Sequence, residues 1–305
     1  MIAALAGGVG AARFLTGLTR LVEEEDLSVI VNTGDDIELF GLHISPDLDI
    51  VTYTLVGIVD EAKGWGIRGD TFQCLEMLKA HGLDTWFGLG DMDLATHLYR
   101  TENLKKGYTL TQITREISEV LGLKTKILPM TDDMFETRVR TSEGSIHFEE
   151  YFVRKQAKDE VLGVEFVGAA TAKPAPGVLD AILDAETIVV CPSNPVVSIG
   201  TILAVNGVRD ALKRTNARVI GISPIVAGLP IKGPADKMLR CLGFEVSAYG
   251  VAKLYSDFLD TFVIDTKDAG SKNRVENLGV NVKVTNTIMQ SLEDKVSLAK
   301  VVLEN

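Results

Sequence analysis

Residues 5–15 of the chain read LAGGVGAARFL, a short apolar run that ends in three closely spaced glycines. Apolar residues then recur at Phe14, Leu15, Leu18 and Leu21 with helical spacing, so the pattern predicts a strand, a tight turn and a helix. Glycines at such a turn leave backbone N–H groups open to an anion at the helix N-terminus. A dinucleotide, ATP, another phosphate ligand or a turn without a ligand would all be compatible with it.

The glycine turn matches neither of two well-known phosphate-binding motifs. No Gly-Lys-Ser/Thr follows it, which excludes a Walker loop. A dinucleotide fingerprint requires a third small residue after Gly8 and Gly10, and Arg13 stands there instead. We therefore expect Gly7, Gly8 and Gly10 to contact a phosphate of a different ligand, with a simple tight turn as the alternative.

Strand-like runs alternate with helix-like runs along most of the chain. Val- and Ile-rich strands are expected at Ser28–Asn32, Thr187–Pro192 and Ala217–Pro224, and helical spacing is clear at Leu110–Leu121. Buried strands separated by helices indicate a parallel sheet that is covered on both faces. We predict a three-layer, Rossmann-like, doubly wound and mainly parallel sheet.

The middle of the chain interrupts this α/β rhythm. Glu136–Arg140 and Ser145–Val153 alternate in polarity around the turn SEG, which predicts an antiparallel hairpin within about 130–165. We expect one Rossmann-like domain over residues 1–305, with a smaller α+β subdomain inserted at about 60–170.

Composition narrows the classes of function. A net charge of −11 argues against nucleic acid, which a basic face would bind. The three cysteines, Cys74, Cys191 and Cys241, include no CxxC pair, so a disulfide framework or zinc ribbon is not indicated and a cytoplasmic location is expected. The N-terminus lacks a signal-peptide pattern, and no apolar run reaches about 18 residues, so no membrane association is expected.

Acidic side chains follow the second predicted strand, where ligands of open parallel sheets bind. Asn32, Asp35 and Asp36 come directly after that strand, and Asp47 and Asp49 follow in the segment SPDLD. Carboxylates on two neighbouring loops suit Mg²⁺, which combines them with phosphate oxygens of a substrate. Helix capping by one aspartate and solvation of the others is the alternative.

Two further acidic patches, RGDT at 68–71 and GDMD at 90–93, each have a tryptophan nearby. Asp70 and Asp93 are candidates for the site or for helix N-caps, and Asp91 stands between them in sequence. Trp65 and Trp86 are suited either to stacking on a flat ring or to the core.

Neutral and basic groups follow the later strands. Ser193 and Asn194 follow the strand at 187–191 and offer neutral hydrogen bonds. Lys232 and Lys237 flank a predicted helix start, where a lysine either meets a phosphate or stays solvated. The four histidines show no metal-ligand spacing.

These motifs, taken together, resemble the 2-phospho-L-lactate transferase family over nearly the whole chain, and more closely its bacterial phosphoenolpyruvate transferase branch. The matching segments are GGVGAARFL, VNTGDD, SPDLDIVTYTL, GWGIRGDTF, WFGLGDMDLATHLYR, ILPMTDD, IHFEEYFV, PSNPVVSIGTIL and SPIVAGLPIKGPADK. SPDLD, GDMDLATH and PSNPVVSIG are specific in combination, whereas the glycine turn alone would be a weak match.

The resemblance implies a reaction in the biosynthesis of the deazaflavin coenzyme F-420. A phosphoenolpyruvyl or 2-phospholactyl group would pass from a guanosine diphosphate donor to the ribityl hydroxyl of the deazaflavin Fo, with release of GMP. Mg²⁺ would be required, and the family often forms homodimers. The position of Asp49 is associated with the acceptor, and some archaeal-type members carry a lysine at the position of Gly88.

The candidate site combines these expectations. We assign catalysis to Asp49 and Asp47, with Asp49 as the preferred base, and Mg²⁺ binding to Asp36, Asp47 and Asp49. The expected substrate-binding residues are Gly7, Gly8, Gly10, Asn32, Asp35, Asp70, Trp86, Gly88, Asp91, Ser193, Asn194 and Lys232.

Two rival functions and a purely structural domain are the alternatives, and the density of polar residues at the strand ends argues against a structural domain. A non-catalytic relative of the same fold would bind a nucleotide sugar and regulate metabolism, and retention of SPDLD argues against it. A nicotinamide-dependent oxidoreductase would need neither a divalent metal nor two adjacent acids at Asp35 and Asp36.

Overall fold

The computed structural model describes residues 1–304. Its centre is a seven-stranded sheet in which every neighbouring pair of strands is parallel. Residues 1–304 contain fourteen strands in all, of which seven belong to smaller sheets: β1 (Ile2–Ala6), β2 (Leu27–Val31), β3 (Ile37–Leu39), β4 (Leu42–Ile44), β5 (Lys126–Pro129), β6 (Glu136–Thr141), β7 (Gly144–His147), β8 (Gly163–Val167), β9 (Thr187–Val190), β10 (Arg218–Ile222), β11 (Ile225–Val226), β12 (Leu229–Pro230), β13 (Thr261–Asp265) and β14 (Asn281–Thr285).

Helices connect most of these strands. They are α1 (Gly8–Leu18), α2 (Pro46–Val56), α3 (Gln73–Ala80), α4 (Asp91–Lys105), α5 (Leu110–Val120), α6 (Val178–Leu183), α7 (Ile199–Ala204), α8 (Val208–Arg214), α9 (Ala235–Cys241), α10 (Ala248–Tyr255), α11 (Lys272–Glu276) and α12 (Leu292–Leu303). No helix in residues 1–304 is both long enough and apolar enough to cross a membrane.

The central sheet has the order β5-β2-β1-β9-β10-β13-β14. Side chains alternate between its faces, so Ala3 and Leu5 of β1 join one core while Ala4 and Ala6 join the other. Helix α1 packs against both α2 and α12 on one face, and α6, α7 and α8 lie on the opposite face. The predicted three-layer, doubly wound sheet is confirmed.

A second, three-stranded antiparallel sheet, β7-β6-β8, lies at residues 136–167, which we call the insertion. It contains the predicted hairpin, with Arg138 opposite His147. The range 60–170 that we expected for the smaller subdomain also encloses β5, which belongs to the central sheet.

Two predicted elements have different bounds in the structure. The second hairpin strand, expected to reach Val153, ends at His147, and a wide helical turn follows at Glu150–Arg154 because it buries Tyr151. The last helix, expected from Thr287, begins after Ser291, whose side chain forms a capping box with Asp294.

Candidate active site

A cavity of about 710 Å³ opens at the carboxyl ends of the central strands, where β1 and β9 lie side by side. Chain connections leave β1 and β9 in opposite directions, towards β2 and towards β10, so the cavity is at the topological switch point of the sheet. The glycine turn, both acidic loops, the insertion and the loops after β9 and β10 line it.

The glycine turn lies tightly against the loop after β9. The Gly7 N–H donates to Ser193 Oγ at 3.2 Å, and a Cβ on Gly10 would lie 2.3 Å from the carbonyl oxygen of Pro192. Gly8 has φ +68°, in the left-handed region that favours glycine. Packing therefore excludes side chains from the turn on one side, while the start of α1 faces the cavity on the other.

Asn32 joins the two acidic loops. Its Nδ2 donates to Asp35 Oδ2 at 3.0 Å and to Asp47 Oδ2 at 2.9 Å, and its Oδ1 accepts hydrogen bonds from Gly34 N and Thr201 Oγ1. Asn32 is fully buried, and all four of its hydrogen bonds are satisfied within the protein. It holds Asp35 and Asp47 together at the edge of the cavity.

Three carboxylates line the cavity: Asp35, Asp47 and Glu149. Burial and the charges of neighbouring acids raise the pKa of Asp35 well above its usual range. Burial also raises the pKa of Asp47 to about 7, and burial with the nearby charge of Asp47 raises the pKa of Glu149 to about 8. Asp35 Oδ1 is buried without a hydrogen-bond partner. Ionising such a cluster of buried carboxylates is unfavourable in free energy unless a cation is bound nearby.

Asp36 lies behind this cluster. Its Oδ2 accepts a hydrogen bond from Ser45 Oγ at 2.7 Å and is 2.9 Å from His43 Nε2. Its Oδ1 is buried and has no partner. Asp36 thus fixes the β3–β4 hairpin to the start of α2 and adds negative charge near the cavity acids.

Asp49 faces away from the cavity, into a buried polar network. Both of its oxygens accept hydrogen bonds from Arg100, which is 1% exposed. His97 lies between Asp49 and Asp93, with its ring nitrogens 3.7 and 3.4 Å from their carboxylates. Tyr53 donates to Asp93 at 2.8 Å. In residues 1–304, Asp49, Asp93 and His97 form the only group of three or more His, Cys, Asp or Glu residues whose potential ligand atoms all lie within 4.8 Å of one another.

Asp70 and Asp91 cap each other's helices. Asp70 accepts hydrogen bonds from the Met92 and Asp93 N–H groups at the start of α4. Asp91 accepts from the Gln73 and Cys74 N–H groups at the start of α3. Neither aspartate lines the cavity. Their carboxylates satisfy backbone donors at helix N-termini, which have no partner within the helix.

Aromatic side chains form one wall of the cavity. Trp65 covers Gly88 so closely that a Cβ there would lie 2.6 Å from the indole ring. Phe148 and Phe152 of the insertion stack at 5.7 Å between ring centroids and line the same cavity. Trp86, in contrast, packs edge-on against a neighbouring ring and does not line the cavity.

Three basic side chains also line the cavity. Arg13, Lys63 and Lys232 line the cavity, and Arg13 and Lys232 form no salt bridge with any residue in the range 1–304. Burial and the nearby charge of Arg13 lower the pKa of Lys232. Lys237 has a different role, because its Nζ donates to the backbone carbonyls of residues 157–159.

The family model of 2-phospho-L-lactate transferase CofD matches residues 2–301. The chain belongs to this family. The phosphoenolpyruvate transferase of Streptomyces griseus subsp. griseus is 47% identical over 309 residues, covering 99% of the chain and 97% of the relative. The 2-phospho-L-lactate transferase of Methanosarcina mazei is 40% identical over 298 residues, covering 98% of each. The predicted family is confirmed, and the names of these relatives support a transferase of the CofD type.

The fold also resembles that of a solved structure outside these relatives. A crystal structure of a UPF0052 family member from Bacillus halodurans superposes with a TM-score of 0.69 at 17% identity, covering 99% of the chain and 98% of that protein. At this identity, the likeness concerns the fold alone.

In this CofD-family chain, most of the candidate residues meet at one cavity. The predicted residues that line it are Gly7, Gly8, Gly10, Asp35, Asp47, Gly88, Ser193, Asn194 and Lys232. Those that do not line it are Asn32, Asp36, Asp49, Asp70, Trp86 and Asp91. Asn194 Oδ1 accepts hydrogen bonds from Val196 N and Val197 N, so this side chain also shapes its own loop.

Glu149 is the cavity residue that the sequence pattern failed to indicate. It falls in EEYF, within a run that alternates like a surface strand, and nothing in that run distinguishes Glu149 from Glu150. The chain departs from strand geometry after His147, and this turn directs Glu149 into the cavity. Arg13 was also not predicted as a site residue. In the sequence it is only the residue that breaks the dinucleotide fingerprint, although it lines the cavity.

Proposed function

We propose that this CofD-type transferase passes a phosphoenolpyruvyl or 2-phospholactyl group from a guanosine diphosphate donor to the ribityl hydroxyl of Fo, with release of GMP in coenzyme F-420 biosynthesis. The observation that carries the proposal is the composition of the cavity. A glycine turn, a carboxylate cluster, free basic side chains and an aromatic wall face one volume of about 710 Å³.

The donor diphosphate is assigned to the glycine turn. The first residues of α1 line the cavity, and anions are favoured at a helix N-terminus. Arg13 and Lys232 add positive charge beside this turn. The transferred group carries a phosphate and a carboxylate, so two cations without a salt-bridge partner suit it.

Mg²⁺ is assigned to Asp35 and Asp47. The unpartnered, buried Asp35 Oδ1 and the raised pKa values of both carboxyls indicate a site that lacks positive charge. Oxygen ligands of this kind, together with donor phosphate oxygens, are what Mg²⁺ prefers. When bound, the ion would neutralise charge on the phosphates as GMP leaves. Asn32 keeps both carboxylates in place.

The role that the sequence suggested for Asp49 changes in this proposal. Because Arg100 occupies both oxygens of Asp49, its carboxylate fixes the first turn of α2, on which Asp47 stands. The carboxylates free to meet the acceptor hydroxyl are those that line the cavity.

The deazaflavin ring is assigned to the aromatic wall. Trp65, Phe148 and Phe152 offer flat apolar faces for a ring system. Gly88 leaves the space that Trp65 fills, so the aromatic ring takes the place that a longer side chain would occupy there. A cytoplasmic homodimer also belongs to this proposal, and light scattering on the purified protein tests the dimer.

The test incubates the purified protein with Fo, Mg²⁺ and guanylylated phosphoenolpyruvate or 2-phospholactate in turn, and follows products by mass. Coupling of one donor to Fo with equimolar GMP supports the proposal and identifies the donor. No product with either donor, together with tight binding of a nucleotide sugar, would overturn it in favour of the regulatory alternative.

A further inference from the structure

Glu149 brings a third carboxylate to the cavity from a separate part of the fold. Asp35 belongs to the loop that follows β2 and Asp47 to the first turn of α2, whereas Glu149 follows the last strand of the insertion hairpin. The residue is 7% exposed, and its carboxylate forms no hydrogen bond or salt bridge with residues 1–304. A carboxylate in so enclosed a position, with no partner from the protein, destabilises the fold unless the cavity supplies water or a cation to it.

His147 determines where Glu149 points. Its Nε2 is 3.0 Å from the carbonyl oxygen of Asp36, and its Nδ1 is 3.1 Å from the backbone nitrogen of Glu149. A carbonyl only accepts and an N–H only donates, so the ring is neutral with its proton on Nε2. Burial lowers the pKa of His147, which is consistent with this form. The histidine thus ties the insertion to the acidic loop after β2.

We propose that Glu149 completes the Mg²⁺ site by accepting hydrogen bonds from water molecules bound to the ion. This inference rests on the proposed assignment of Mg²⁺ to Asp35 and Asp47. The three carboxylates do not place one oxygen each within 4.8 Å of one another, so they are not arranged as one direct ligand set, and water would connect Glu149 to the ion. Mg²⁺ retains several water ligands in most protein sites.

The proposal also explains why a destabilising side chain is present. Without a metal, burial and the nearby charges of Asp47 and Asp36 disfavour the ionised form of Glu149, so replacing the residue should stabilise the protein. With a metal, its charge balances the ion, and groups that contact metal ligands or bound water typically contribute about 10–100-fold to affinity. A purely structural glutamate would show neither effect.

The test titrates the metal-free full-length protein with Mn²⁺, counting free ion by electron paramagnetic resonance. Glu149→Gln is compared with Glu150→Gln, since Glu150 is the next residue and pairs with Arg154 instead. We expect Glu149→Gln to bind Mn²⁺ at least about tenfold more weakly than wild type and to melt at a higher temperature without metal. Glu150→Gln should bind Mn²⁺ like wild type.

The outcomes separate this inference from the proposed function. If Asp47→Asn abolishes Mn²⁺ binding while Glu149→Gln binds as wild type does, the Mg²⁺ assignment stands and the role of Glu149 is overturned. The role of Glu149 is likewise overturned if Glu149→Gln changes only the KM for Fo. If wild-type protein binds no Mn²⁺, both the metal assignment and this inference fail.

Discussion

Asp47 and Asp49 stand two residues apart in the first turn of α2, and their carboxylates have entirely different neighbours. Asp47 reaches the cavity and accepts a hydrogen bond from Asn32, whereas Asp49 is buried against Arg100. Residues two apart on a helix do not share a face, which is why the pair divides in this way. The motif SPDLD thus contains one candidate for chemistry and one anchor for the helix.

Asp49→Asn should reduce stability strongly. The substitution leaves Arg100 buried with an unpaired charge, which typically costs about 3–5 kcal/mol. Urea unfolding measures the loss, with Glu102→Gln as the control because its pair with Lys106 is exposed and worth little. Wild-type stability combined with lost turnover would instead identify Asp49 as a catalytic residue.

Asp47→Asn should retain the fold and lose metal-dependent turnover. The amide can still accept the Asn32 hydrogen bond, but one charge of the proposed Mg²⁺ site is gone. We expect turnover to fall by at least about 100-fold, and Mg²⁺ to saturate at higher concentration. Steady-state rates across a Mg²⁺ series measure both effects. An unchanged Mg²⁺ dependence would remove Asp47 from the site.

Gly10→Ala should destabilise the protein with or without ligand. The new Cβ would lie 2.3 Å from the carbonyl oxygen of Pro192, so the glycine turn and the loop after β9 must separate. Overpacking of this kind costs about 1–3 kcal/mol. Gly270→Ala is the matched control, because no atom lies within 4 Å of its Cβ position. Equal melting temperatures for the two variants would contradict this packing argument.

Trp65→Leu should weaken acceptor use more than donor binding. Trp65 lines the cavity beside Gly88, whereas Trp86 does not line it and makes the natural control. Loss of ring stacking should raise the KM for Fo about tenfold and leave the Kd for GDP unchanged. Steady-state kinetics gives the KM for Fo, and calorimetry gives the Kd for GDP, for both Trp65→Leu and Trp86→Leu. A higher KM for Fo in the Trp86 variant alone would show that Trp86, and not Trp65, contacts the acceptor.

The stability of the metal-free protein should fall as pH rises towards alkaline values. The pKa of Asp47 is raised to about 7 and the pKa of Glu149 to about 8, while unfolded carboxyls titrate near about 4. Between about pH 4 and about pH 8, the folded chain therefore binds more protons than the unfolded chain does. The stabilising contribution is complete below about pH 4 and is lost as pH passes through about 7–8.

Urea unfolding at about pH 6 and about pH 9 measures this dependence. Other groups also titrate in this interval, so the informative quantity is the difference between wild type and Glu149→Gln. The variant should lose less stability than wild type on going from the lower to the higher pH. An equal loss in both proteins would show that Glu149 is already ionised at the lower pH.

The three-layer architecture could be predicted from the sequence because the spacing of hydrophobic residues distinguishes buried strands from helices. Buried runs such as Thr187–Val190 alternate with helices, and the glycine turn marks the switch point. Strand β14 was missed since its burial is only partial. The second strand of the hairpin was predicted to be longer than it is, because the alternation of polar and apolar residues continues past His147. The structure has a helical turn there instead, and this turn buries Tyr151 in the core.

The site was predictable only in part. The sequence predicts that the acidic residues after the strands lie at one edge of the sheet. It does not predict which of them, within the first turn of α2, faces the cavity. Asp49 pairs with Arg100, which is 51 positions away in the chain. Asp70 caps α4 by accepting a hydrogen bond from Met92, which is 22 positions away. Glu149 enters from the insertion, so only the tertiary structure reveals it.

The most direct test of the central claim is Mg²⁺-dependent coupling of Fo to a guanylylated donor, with product and GMP quantified together. Wild type and Asp91→Asn, whose substitution lies outside the cavity, should form product and GMP in equal amounts, and Asp47→Asn should form almost none. Product formation by Asp47→Asn at the wild-type rate, or by wild type without any divalent metal, would contradict the account.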